Sequence, residues 1–195
     1  MPEPNRLFFA LWPDDASRAA CEAAARDLRL RMQPGGYLIR PARYHMTLLF
    51  LGDEVPPAME ARALQVAHRM SLPPFMLTLN QAMSFRNKEI PWVLMPHETP
   101  PGLSGLYDAL RTALRAPGVV PDRKSFSPHL TVLRNAGQML PLTQIGPVNW
   151  AVQEFVLIRS VLHRQLVEYQ VIGRWPLNGT SAAEKTPAQM KLWEN

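Results

Sequence analysis

Twice along this chain a histidine, one spacer and a threonine lead into an aliphatic run, at residues 44–52 (YHMTLLFLG) and 126–134 (FSPHLTVLR). Both runs have the length and aliphatic content of a strand, and Gly52 and Asp53 end the first. In a strand, alternate residues share a face. His45 and Thr47 therefore point the same way, as do His129 and Thr131, while Met46, Leu48 and Phe50 take the opposite face of the first strand and Leu130 and Val132 that of the second. Burying such a polar pair without partners costs about 1–3 kcal/mol per group. A single His-x-Thr is ordinary in a strand. With five histidines in the chain, chance expects well under one such pair. Two are present, each approached by basic residues, Arg40 and Arg43 before the first and Arg123 and Lys124 before the second, which points to two halves of one site.

The remaining elements follow from periodicity and punctuation. Residues 6–12 (RLFFALW) read as a buried strand closed by Pro13, and Asp14 or Asp15 caps a helix over 16–32 that Pro34, Gly35 and Gly36 stop. A short segment follows at 37–39. A second helix spans 58–70, a strand 75–85 turns through 86–89 into a hairpin partner at 90–95, and a third helix spans 102–115. A loop, 116–125, precedes the second motif. Two long strands, 152–163 and 166–175, meet near Arg164, and a polar, alanine-rich tail over 178–195 is expected to be flexible. Each His-x-Thr strand thus follows a helix and a loop. That weak duplication has too long a period for a stacked array, so it suggests two related lobes facing each other within a single domain, residues 1–177.

Composition narrows the function. No apolar stretch among the 195 residues approaches the roughly 18 that a membrane span needs, and the N-terminus carries no export signal. A lone cysteine, Cys21, cannot make an internal disulfide or a cysteine-rich metal site, which suits the cytoplasm. The net charge of +5 comes from 17 arginines and four lysines against 16 carboxylates. Arginine's planar fork suits phosphate, so a phosphorylated partner is favoured.

Two histidines facing across a cleft can act as base and acid in one reaction. Phosphodiester cleavage uses such a pair: one imidazole takes a proton from water, the other gives one to the leaving sugar oxygen, and the threonine hydroxyls donate to the non-bridging oxygens. No metal is needed for this. A metal site would want nearby carboxylates, and Asp53 and Asp122 lie six to eight residues away. Ser127 and Ser160 lack a nucleophile-elbow pattern, and no glycine-rich phosphate loop occurs. The competing reading is an arginine-rich RNA-binding module whose histidines only contact phosphate.

The doubled motif resembles that of the two-histidine (2H) phosphoesterase superfamily. The pieces RLFFALWP, HMTLLFLG, PWVLM, FSPHLTVLR and EFVLIRSVLHRQLVEYQVIGRWPL resemble its bacterial and archaeal RNA 2',3'-cyclic phosphodiesterase branch, also called 2'-5' RNA ligases. The resemblance implies a bilobal α+β fold, two pseudo-symmetric lobes each with an antiparallel sheet flanked by helices and a central cleft between the sheets. It implies metal-independent hydrolysis of a 2',3'-cyclic phosphate on RNA or a nucleotide to a 2'-phosphate; 2'-5' ligation is the reverse reaction. Beside it, no cofactor and no membrane are expected, and the chain is expected to be a monomer. His45 and His129 would be the acid/base pair, Thr47, Thr131 and Arg134 the substrate binders. Arg134 lies five residues from His129, which on a straight strand is the wrong face. It therefore sits beyond the strand end or a bulge, or it serves structure. Phe9, Trp92 and Phe126 are the aromatic candidates for stacking a base, and Gln165 or its neighbours stand where the family has a glycine in the final hairpin turn.

Overall fold

The computed structural model describes residues 5–115, 126–163 and 166–179. Strand β1 (Asn5–Leu11) leads into helix α1 (Asp15–Met32), whose N-terminus is capped by the Asp14 carboxylate accepting from the Ser17 N–H at 2.7 Å. A two-residue strand β2 (Tyr37–Leu38) and a 3-10 turn (Pro41–Arg43) then deliver the chain to β3 (Met46–Asp53). Helix α2 (Pro57–His68), the hairpin β4 (Phe75–Ser84) and β5 (Trp92–Met95), and helix α3 (Pro101–Leu114) follow. The chain ends in β6 (Leu130–Arg134), β7 (Thr143–Val152), β8 (Glu154–His163) and β9 (Leu166–Pro176).

The expected α+β class is what the chain adopts. Its strands, however, do not divide into two separate sheets. They form one hydrogen-bonded path, β7-β4-β5-β6-β3-β1-β8-β9, with β2 added against β6. The seam between the four-stranded halves is narrow: β3 and β6 run antiparallel and share a single registered pair, Met46 with Leu130. Those residues each follow a motif histidine by one. Equivalent positions of the two motifs thus face each other across this antiparallel seam.

One face of the sheet carries the helices. Cys21, Ala25 and Leu28 of α1, Ala63 and Ala67 of α2, and Leu103, Leu106 and Leu110 of α3 are all under 3% exposed and pack into one core with Leu7, Phe9 and Leu11 of β1 and with Met46, Leu48, Leu130 and Val132. Side chains of this kind contribute about 1.5–3 kcal/mol each when fully buried. The opposite face holds a smaller apolar group, Phe8 and Ala10 with Val156 and Ile158, against which Trp12, Tyr169 and Val171 pack. None of the helices' core residues belongs to it, which leaves this face for the site.

Strand β7 was not anticipated, because Gly146 and Pro147 break its apolar pattern. It occupies the sheet edge, and its register slips between the Leu79–Val148 and Gln81–Gln144 pairs, so the proline sits where a ladder hydrogen bond is dispensable. Residues 164 and 165, where the departure at the last hairpin turn was expected, lie outside the described residues, as do loop residues 116–125 and tail residues 180–195. Of the expected tail, Gly179 is tied down by its N–H to the Leu72 carbonyl at 2.9 Å. No described helix is long and apolar enough to cross a membrane.

Candidate active site

Both motif histidines are held by the same local device. The Nδ1 of His45 lies 2.8 Å from the Arg43 carbonyl, and the Nδ1 of His129 lies 2.8 Å from the Ser127 carbonyl. A carbonyl only accepts, so each Nδ1 carries the hydrogen and each neutral ring keeps its Nε2 lone pair free. His68 and His97 are wired the other way. The Trp175 indole N–H donates to His68 Nδ1 at 3.0 Å, and the Gln81 amide lies 2.9 Å from His97 Nδ1, which marks both as structural.

A chamber of about 120 Å³ collects His45, Thr47, His129, Thr131 and Arg134, all five residues expected from the sequence, together with Ile39, Arg43 and Tyr169. It opens into a larger cleft of about 500 Å³, lined further by Arg6, Phe8, Tyr37, Phe50, Glu89 and Ser160. Burial pushes the His45 pKa from the ordinary 6.5 down to about 4, and the positive charges of His129, Arg43 and Arg134 act in the same direction against the Arg43 carbonyl. Burial lowers His129 too, again helped by Arg134 and opposed by the Ser127 carbonyl. Both rings are therefore neutral near neutral pH in the free protein. An anion in the chamber would favour the imidazolium form of either ring.

The parity of Arg134 is resolved by a bulge. Trp92 pairs with Leu133 and Val93 with Thr131, leaving Val132 as an extra residue in β6. Val132 and Leu133 consequently both enter the core, and Arg134 returns to the face of Thr131. Gly36 supports this corner: at φ +61° it packs so close that an added Cβ would meet the Asn135 carbonyl oxygen at 2.6 Å. The Arg134 guanidinium is ion-paired with Glu89 from the β4–β5 turn.

Strand β3 repeats the device. Phe9 pairs with Leu49 and Ala10 with Thr47, so Leu48 is the extra residue, Leu48 and Leu49 both pack toward the core, and Phe50 swings into the cleft at 52% exposed. That overturns the expectation of Phe50 on the core face. Of the aromatic candidates for stacking a base, Phe9 and Trp92 are core residues, 0% and 1% exposed, as strand aromatics usually are, and Phe126 stacks on Tyr107 at 4.2 Å. Phe50 and Tyr37, 52% and 50% exposed, are the large aromatics open to the cleft. Alternation alone hid Phe50, but its place, five residues after His45 as Arg134 is after His129, was a usable signal.

Among the described residues, no cluster of three or more histidines, cysteines or carboxylates stands ready for a metal ion. Cys21 is fully buried, and burial pushes its thiol up to about 12, which leaves it inert at neutral pH.

Residues 13–164 match the model of the 2'-5' RNA ligase superfamily. The chain belongs to that superfamily. Within it, the chain is 33% identical to the RNA 2',3'-cyclic phosphodiesterase of Escherichia coli K12, covering 91% of this chain and 99% of that one. It is 30% identical to the RNA 2',3'-cyclic phosphodiesterase of Thermus thermophilus, over 92% and 94%. Among solved structures of the superfamily, E. coli LigT in apo form superposes with a TM-score of 0.76 at 30% identity over 90% of this chain and 99% of LigT. LigT complexed with 3'-AMP superposes with 0.74 at 31% identity and the same coverage.

Proposed function

We propose that this chain is a cytoplasmic, monomeric RNA 2',3'-cyclic phosphodiesterase, working without a metal from a single domain over residues 1–177. The observation that carries the reading is the pair of histidines with identical Nδ1 anchors on one small chamber, which also holds two threonines and Arg134. The names of the E. coli and T. thermophilus relatives support it.

In the reaction a water oxygen bonds to phosphorus and the bond from phosphorus to O3' breaks. One histidine Nε2 takes the water proton, and the other, as imidazolium, gives its proton to O3'. The product is a 2'-phosphate beside a free 3'-hydroxyl. Thr47 and Thr131 donate to the non-bridging oxygens, and Arg134 leaves Glu89 to meet the negative charge that builds there. Phe50 offers a stacking face for the nucleobase, since base stacking needs an aromatic ring that is not already buried.

The test is a product assay on an RNA ending in a 2',3'-cyclic phosphate, with the purified protein in excess EDTA. The expected outcome is complete conversion to the 2'-phosphate at an undiminished rate. Loss of activity on chelation restores the metal reading, and salt-sensitive binding without product makes the chain an RNA-binding module.

A further inference from the structure

We infer that Arg43, outside the His-x-Thr motifs, is a second cation for the reacting phosphate, standing on the His45 wall as Arg134 stands on the His129 wall. The inference rests on the phosphodiesterase reading of the chamber. Arg43 ends the 3-10 turn, where its own carbonyl receives the His45 Nδ1 hydrogen, so the backbone that sets the histidine also sets this arginine. Its side chain borders both the inner chamber and the outer cleft. The guanidinium lies 5.0 Å from the centroid of the Tyr169 ring, and that ring is itself packed edge-on against His45 at 5.0 Å and Phe8 at 5.9 Å. A guanidinium stacked on an aromatic face keeps its in-plane N–H groups for an anion.

Other arginines lining the cleft are already matched: Arg6 with Asp53 and Arg134 with Glu89. Among the described residues no carboxylate pairs with Arg43, and its buried Nε has no hydrogen-bond partner. Arg18 and Arg159 share that unmet Nε, so what sets Arg43 apart is its place on the chamber without a carboxylate partner among the described residues. The charge count agrees. A cyclic phosphodiester carries one negative charge, water addition raises it toward two, and Arg134 begins partly neutralised by Glu89. Each half of the site then supplies one cation from a different end of its motif: Arg43 two residues before His45, where the other half has Ser127, and Arg134 five residues after His129, where the other half has Phe50.

Calorimetric titration with inorganic phosphate, beside kinetics on a cyclic-phosphate RNA, tests this. Arg43→Gln should weaken phosphate binding about 10- to 100-fold and lower kcat/KM at least as much, because a hydrogen bond to a charged group is lost. Arg43→Lys should restore part of both, a rescue that a purely structural stacking role would not give. Arg43→Met, whose chain still covers Tyr169, separates charge from packing if the Gln variant misfolds. Tyr169→Leu should lose affinity through disorder of the guanidinium. Phosphate affinity and kcat/KM within about threefold of wild type in folded Arg43→Gln or Arg43→Met would overturn the inference. So would a wild-type protein that does not bind phosphate. If wild type binds phosphate but turns nothing over, the phosphodiesterase reading fails on its own, and the titration still decides the role of Arg43.

Discussion

The two halves of the chamber share a skeleton and differ in their chemistry. In both, a helix and a loop precede the strand, the histidine Nδ1 binds the carbonyl two residues back, and a one-residue bulge places the fifth residue after the histidine in the cleft. The residues hung on that skeleton diverge. His45 is ringed by Phe8, Trp12 and Tyr169, with ring centroids 5.3, 6.5 and 5.0 Å away, whereas His129 has Phe85 at 4.8 Å. The fifth position is Phe50 in one half and Arg134 in the other. What both halves keep is what proton transfer demands, a defined tautomer at a defined height above the sheet. On the proposed phosphodiesterase reading, what differs is what an asymmetric substrate would demand, since a terminal nucleotide has a flat base on one side and a charged phosphate on the other.

Removing either histidine should have the largest effect. His45→Ala and His129→Ala are each expected to lower kcat about 10²- to 10⁴-fold with the circular dichroism unchanged. A variant of either kind that keeps substantial turnover would break the equivalence of the two halves. The fifth positions should separate cleanly. Arg134→Ala should lower kcat/KM about 10²- to 10³-fold through lost charge stabilisation. Phe50→Ala should raise KM about tenfold for a nucleotide substrate and leave a base-free ribose cyclic phosphate unaffected. A kcat defect in Phe50→Ala with unchanged KM would show that this half does more than hold the base.

Stability should report the burial of His45. Its pKa is about 4 in the folded chain against an ordinary 6.5, so as pH falls from about 6.5 to about 4 the unfolded chain binds a proton that the folded one resists. Denaturant unfolding should therefore show stability falling over that window, by on the order of 1–2 kcal/mol for a ring that is only partly shielded. His45→Gln should remove that part of the slope. The smallest expected effect is at Glu89. The exposed pair it makes with Arg134 is worth roughly 0.2–1 kcal/mol, so Glu89→Gln should tighten phosphate binding by up to about fivefold in a titration. Weaker binding would mean that Glu89 positions Arg134 rather than competing for it.

The elements and the five candidate residues were legible because period-two and period-3.6 patterns, caps and breakers are local. Asp14 caps α1, Pro34 to Gly36 stop it, and the two His-x-Thr pairs state their own faces. Strand β7 was not legible, since an edge strand with a slipped register tolerates Gly146 and Pro147 and so lacks a strand's usual signature. The β3 bulge was not legible, and the β6 bulge was one of the alternatives left open for Arg134; both depend on how β1 and β5 pair with their neighbours, and they carry Phe50 and Arg134 to the cleft.

By itself, then, the sequence determined the doubled motif, the α+β order of elements and the shared face of each histidine and its threonine, because each rests on local spacing and pattern. Tertiary structure decided three things that spacing cannot reach. The halves join in one sheet through a single Met46–Leu130 pair, since strand pairing is a contact between distant segments. The histidine pKa values fall because burial is a property of the whole fold. And Arg43 lies over Tyr169 with no carboxylate partner among the described residues, because which carboxylates come near a given arginine is settled only when the chain has closed around it.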